Sequence, residues 1–175
     1  MEQRVAEKTS ALTKSNLELQ ESAKFIKKIT DTAPNLLYIY DLFTNRNIFC
    51  NPFVKELIGY SVSAIQKSEN SLMSELVHPD DMEKVIEHHN RCLSLEGDNY
   101  LEIEYRIKDI NGEWYWLYDK NIVFNRDPQG KPEQILGIAQ NITHKKKAEL
   151  KTKLLNQRLK VKLVELTIII CVGKA

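Results

Sequence analysis

The chain is poor in the residues that make cross-links, membrane spans and phosphate cradles. Its 175 residues include only three cysteines, six glycines and five prolines. Cys50, Cys92 and Cys171 are odd in number and lack paired spacing, so neither a disulfide framework nor a zinc site is indicated, and a reducing cytoplasmic setting is expected. The most apolar segment, Leu163 to Gly173, is interrupted by Glu165 and falls short of the ~20 residues needed to span a bilayer. Met1 to Gln20 is polar and charged, so no secretory leader is expected. Nucleotide-binding Gly-rich boxes, a phospho-acceptor histidine box, a cyclase motif and a helix-turn-helix are also missing. No catalytic role is therefore expected of this chain.

What is present has an uneven charge. The net charge is +1, but residues 31–143 hold 10 basic against 18 acidic side chains, a net of −8, while residues 144–175 carry +7. An acidic core with a basic tail can attract an acidic partner, an anionic membrane or its own core. With 42% apolar residues, one core domain plus appendages is expected.

The clearest patterning lies between Tyr100 and Thr143. Leu101, Ile103, Tyr105 and Ile107 alternate with Glu102, Glu104, Arg106 and Lys108, the period of a strand with one buried face. Asn111-Gly112 then predicts a two-residue hairpin turn with two positive φ angles. Trp114 to Phe124 should return antiparallel, Asp127-Pro128-Gln129-Gly130 should form a type I turn, and Gln134 to Ile142 should be a third strand.

Glu104-Tyr105-Arg106, Asn111-Gly112, Trp116, Asp127 with Gly130, Gly137 and Asn141-Ile142-Thr143 followed by Lys145 to Glu149 resemble, in order and spacing, the C-terminal half of a PAS sensor domain. His78-Pro79-Asp80-Asp81 is similar to a signature of the subclass common in bacterial multi-domain kinases. The resemblance covers roughly residues 31 to 143 and has one departure, Asn141 where the family usually has Asp. It implies an α+β PAS fold: a five-stranded antiparallel sheet with short helices on one face, flanked by N- and C-terminal helices. It also implies a sensory function relayed through those helices in a homodimer to a downstream kinase or effector. The division expected is 1–30 as a coiled-coil helix, 31–143 as the PAS domain and 144–175 as a basic signalling helix and tail.

The first segment is helical by period. Val5, Leu12, Leu19 and Ile26 recur every seven residues, a seam of modest hydrophobicity that asks for a partner; the alternative is a helix lying on its own sheet. Ala33-Pro34-Asn35 breaks it, and Leu36 to Leu42 follows as a strand covered on both faces. A turn at 45–47 leads to a short strand, Ile48 to Cys50. Asn51-Pro52 should cap a helix whose Val54, Leu57 and Ile58 face inward before Gly59 ends it.

His78-Pro79-Asp80-Asp81 invites a metal reading, yet Asp80 with Glu83 has the form of a capping box, and a helix start accounts for every residue without a metal. The helix it opens should bury Met82, Val85, Ile86, His89 and Leu93, with His88 off the stripe. In haem-binding relatives a histidine on the corresponding helix ligates iron; for His89 the preferred reading is a neutral, hydrogen-bonded core imidazole, and no cofactor is predicted. Flavin photochemistry of the LOV type uses a cysteine after the first helix, and Gly59 to Gln66 contains none. Cys50 and Cys92 are read as packing residues.

Trp114, Trp116 and Tyr118 could stack bases, but the acidic surroundings argue against nucleic acid and for packing under a helix. After Thr143 the period becomes helical, with Leu150, Leu154, Val161, Val164 and Ile168 on one face and eight Lys or Arg against one Glu in residues 145–162. The expected pocket is lined by Val54, Leu57, Ile58, Val85, Ile86, His89, Tyr105, Trp116 and Ile138, and the expected relay is Asn141-Ile142-Thr143. Two alternatives stand beside the sensory reading: a fragment of a sensor histidine kinase whose catalytic core lies outside this chain, and an adaptor using its basic tail on an acidic partner or membrane.

Overall fold

A computed structural model describes residues 2–67, 75–97 and 99–172, with side-chain surroundings for 8–67, 75–97 and 99–166. Five antiparallel strands, β1 (Leu36–Asp41), β2 (Arg46–Cys50), β3 (Tyr100–Lys108), β4 (Trp114–Arg126) and β5 (Pro132–Asn141), form one sheet in the order β2-β1-β5-β4-β3. The first and last strands in sequence are thus neighbours at the middle. Alternation does the sorting: Ile103, Tyr105 and Ile107 of β3, Leu117 of β4 and Ile135 and Ala139 of β5 are buried on one face, and their neighbours point to the other. Helices α2 (Phe53–Ile58), α3 (Val62–Lys67) and α4 (Pro79–Cys92) cover that buried face.

Both predicted hairpins form, with a different turn from the one expected after β3. Gly112 takes the positive φ of 86° but Asn111 does not. Instead Asp109 accepts the Asn111 and Glu113 amides on its carboxylate, and its own amide bonds the Glu113 carbonyl, closing a five-residue loop. The β4–β5 turn repeats the device, with Asp127 accepting from Gln129 and Lys131 and Gly130 at φ 84°. An Asp before each turn, able to satisfy loop amides, wins over the Asn-Gly dipeptide.

Two expected caps are also replaced. Asn51 does not cap α2; it is fully buried, accepts the Leu37 amide and donates to the carbonyls of Thr30 and Asn35. It therefore ties the end of α1 (Glu2–Thr32) to the start of β1. At α4 the cap is His78, whose Nδ1 accepts the Asp80 amide at 3.2 Å. Asp81 turns away to grip the Arg106 guanidinium and amide at 2.8–2.9 Å.

The flanking helices leave the domain. Leu12, Leu19 and Ile26 are more than half exposed, so α1 does not lie on the sheet; Val5 of the seam falls outside the described side chains. The outer face of the sheet accordingly keeps Ile122, Phe124 and Ile138 exposed and Leu37 and Ile39 half-buried, where cover on both faces was expected. The C-terminal helix α5 (Thr143–Val172) likewise exposes Leu150, Leu154, Val161 and Val164, with Ile168 outside the described side chains.

Candidate functional site

Between the sheet and α2–α4 lies a cavity of about 60 Å³. Of the residues expected there, Val54, Ile58, His89 and Tyr105 line it. Leu57 and Val85 are buried beside it in the core. The other three are misplaced by the expectation. Ile86 is 54% exposed on the far side of α4, because the buried stripe is Val85, His88 and Cys92. Trp116 and Ile138 sit on the outer face of the sheet, since Leu117 and Ala139 take the inner one. Strand period alone could have placed Trp116, had the polar Asp119 and Asn121 been accepted as core residues of the same strand.

The cavity wall also includes Tyr38, Tyr40, Asn47 and Cys50, none of them anticipated. Tyr38 reaches across β5 because Gly137 lies beneath it; a Cβ there would stand 2.1 Å from the ring. Its hydroxyl donates to Asp119 Oδ2 at 2.6 Å, and the Tyr105 hydroxyl donates to the same oxygen at 3.3 Å. Asn121 Nδ2 donates to the Tyr38 oxygen at 2.9 Å. His88 Nε2 lies 2.6 Å from Asn121 Oδ1, an acceptor, which makes the imidazole the donor and fixes a tautomer protonated on Nε2. A chain of donors thus runs from α4 through Asn121 and Tyr38 to one carboxylate.

Burial sets the electrostatics. It pushes Asp119 up to about 6 against the pull of its two tyrosine donors, and it lifts both tyrosines well above their ordinary value, with Asp119 adding to the shift. It pushes His89 down to about 4 and lowers His88. The thiols of Cys50 and Cys92 are raised to about 11 and about 12, so neither is a ready nucleophile. His89 stacks on Tyr40 with ring centroids 4.9 Å apart and makes no hydrogen bond among the described residues, which corrects the hydrogen-bonded imidazole expected there. Within α4 the hydrogen-bonded histidine is His88, which is buried although it was expected off the buried stripe. A haem would need several times the cavity's volume, so His89 could ligate iron only after α2 and α4 moved apart.

The strand-to-helix junction is clamped to the sheet. The Ile142 amide donates to the Trp116 carbonyl and the Trp116 amide donates to Thr143 Oγ1, both at 2.9 Å. Asn141 Oδ1 accepts the Thr143 amide at 2.9 Å, an uncharged Asx-type turn that leads the chain into α5. The Trp116 ring carries two cations, the Arg106 guanidinium and the Lys146 ammonium, each 5.2 Å from its centroid, and Lys146 also pairs with Glu104 at 2.5 Å. Trp116 thus touches the Asp81-anchored arginine and the first turn of α5 together, rather than packing under a helix. Among the described residues no cluster of His, Cys, Asp and Glu could hold a metal ion, and no helix is long and apolar enough to cross a membrane.

A family model described as the PAS fold matches residues 47–139. The two-component sensor PprA of Pseudomonas aeruginosa is 26% identical over 148 residues, covering 83% of this chain but 15% of the relative, so the chain spans only a small part of that protein's length. Among solved structures, a sensory box histidine kinase/response regulator from Burkholderia thailandensis aligns at TM-score 0.61 with 20% identity, covering 77% of this chain and 97% of that one. The PAS domain of an HTR-like protein from Haloarcula marismortui aligns at 0.60 with 16% identity, covering 74% and 99%. The matched residues run from within β2 to near the end of β5, over half of the chain, and the chain belongs to the PAS-fold family.

Proposed function

We propose that the chain is a sensory module in which the contents of the core cavity set the position of α5, and that two copies pair through their flanking helices to pass that position on. The observation that carries this reading is the double hydrogen bond between Trp116 and the Ile142–Thr143 junction, because it leaves a 30-residue helix attached to the sheet through a few short contacts. A small shift of β4 against β5 is then magnified along the helix. The exposed seam of Leu12, Leu19 and Ile26 supports pairing.

The test is a distance. A spin label on Lys151, an exposed α5 residue, reports the separation of the two helices in a dimer. Thr143→Val removes the acceptor of the Trp116 amide while keeping a β-branched shape, and a broadened or displaced distance distribution is expected. An unchanged distribution would remove the junction from the relay.

The likeness to PprA supports a second reading, that the chain is the sensory piece of a longer kinase. The intact mass of the native product separates this from a free-standing module. The adaptor reading draws on the eight basic residues of α5, and is checked by sedimentation with anionic vesicles at low and high salt.

A further inference from the structure

The cavity has one end that is chemically unfinished. β2 carries a bulge at Ile48, so that Asn47 pairs with Tyr40 and faces the core rather than the outer side of the sheet. Asn47 Oδ1 is buried there with no hydrogen-bond partner among the described residues. Its cross-strand neighbour Tyr40 stacks on His89, and neither ring makes a hydrogen bond among the described residues. Three groups with unused hydrogen-bonding capacity therefore meet at one end of an otherwise apolar space walled by Val54, Ile58 and Ile107. The other two cavity tyrosines are different, because their hydroxyls are spent on Asp119.

The geometry points to a binding site for a small uncharged molecule of about four to six heavy atoms, a short primary amide or alcohol, whose donor meets Asn47 Oδ1 and whose carbon chain lies against Val54 and Ile58. This deepens the sensory reading and rests on it. Size follows from the volume of about 60 Å³, since one water-sized occupant takes roughly 10–15 Å³ on that measure. Neutrality follows from the wall, which holds no Asp, Glu, Lys or Arg, so a charged ligand would lose its hydration without a counter-charge. Burial also keeps the His89 imidazole neutral. A donor is required because the orphan atom is an acceptor, and an amide oxygen could in turn accept a hydrogen bond from the Tyr40 hydroxyl or the His89 ring N–H. A water at this end could meet Asn47, Tyr40 and His89 but would leave the apolar stretch of the wall at Val54, Ile58 and Ile107 without a contact that a carbon chain supplies.

The test uses the full chain and an isosteric pair, butyramide and butyrate, followed through the ring and amide NMR signals of Tyr40 and His89. A saturable shift with butyramide is expected at millimolar concentration, in keeping with so few contact atoms, and none with butyrate. Asn47→Leu should weaken butyramide by about tenfold, the scale of one buried hydrogen bond, and Asn47→Asp should turn the preference toward butylammonium. No saturable shift, equal binding of butyrate, or undiminished binding by Asn47→Leu would each overturn the assignment. The Lys151 distance separates this from the broader reading. Saturable binding that leaves the helix separation unchanged would uphold the ligand class and sink the relay, whereas a Thr143→Val effect without binding would do the reverse.

Discussion

Asp119 is a carboxylate in a place that suits its neutral form. It is 2% exposed, holds two tyrosine donors on one oxygen, and leaves Oδ1 without a partner among the described residues. Its folded pKa of about 6 lies above the unfolded value near 3.9, so between those values the native state holds a proton that the unfolded chain has released. Stability from this group is therefore present at low pH and lost as pH rises from about 4 to about 6, by on the order of 2–3 kcal/mol. His89 runs the other way. Its folded pKa of about 4 lies below the ordinary 6.5, so its buried neutral form opposes folding as pH falls through the same window, and His88 adds to that. The two slopes offset one another in the native chain. Asp119→Asn removes one and keeps an acceptor for Tyr38; its unfolding free energy, from urea titrations at pH 4.5 and 6.5, should climb with pH much more steeply than the parent's. Parallel profiles would mean that Asp119 is ionised throughout, as an ordinary carboxylate would be.

At the scale of elements, β5 shows how one residue without a side chain builds a site. Tyr38 crosses the strand over Gly137 to reach Asp119 and Asn121, and the Cβ of any other residue would meet the ring at 2.1 Å. Gly137→Ala should cost roughly 1–3 kcal/mol as overpacking and weaken the tyrosine–carboxylate bond as well. Gly130→Ala is the control: nothing lies within 4 Å of its Cβ, and only its positive φ resists, at about 1 kcal/mol. Denaturation midpoints that rank the two variants the other way would refute this account of Gly137. The strands, the hairpins and the inward face of α2 were legible in the sequence because each depends on local period or turn chemistry. The partners of Asn51, His78 and Asp81 were not, because each bonds a residue 14 to 25 positions away or replaces one plausible cap by another. The same holds for the cavity. Val54, Ile58, His89 and Tyr105 could be picked as apolar or facing residues, whereas Asn47 enters through a bulge that no period announces, and Tyr38 through Gly137, a glycine far away in sequence.

For the molecule as a whole, the decisive feature is that the apolar residues of the domain's inner face are covered while those of its flanking helices are not. α1 is 31 residues long and exposes Leu12, Leu19, Phe25, Ile26 and Ile29. Its C-terminal end is held by the Asn51 donation to Thr30. An isolated helix gains little from its own hydrogen bonds in water, and an apolar stripe without cover loses the stabilisation that burial would give, about 25 cal/mol for each Å² removed from solvent. A second copy offers the same stripe at the same heptad spacing, and so supplies cover without a new surface. Replacing Leu12 and Leu19 together by Glu would place unpaired charge in that seam at a cost larger than the contacts could offset. The parent is expected to sediment as a dimer and the double variant as a monomer at tens of micromolar, with the core unchanged because neither leucine touches it. A parent that is already monomeric there would show that α1 is covered by something other than its own copy, and the helix-pair relay would have to be given up with it.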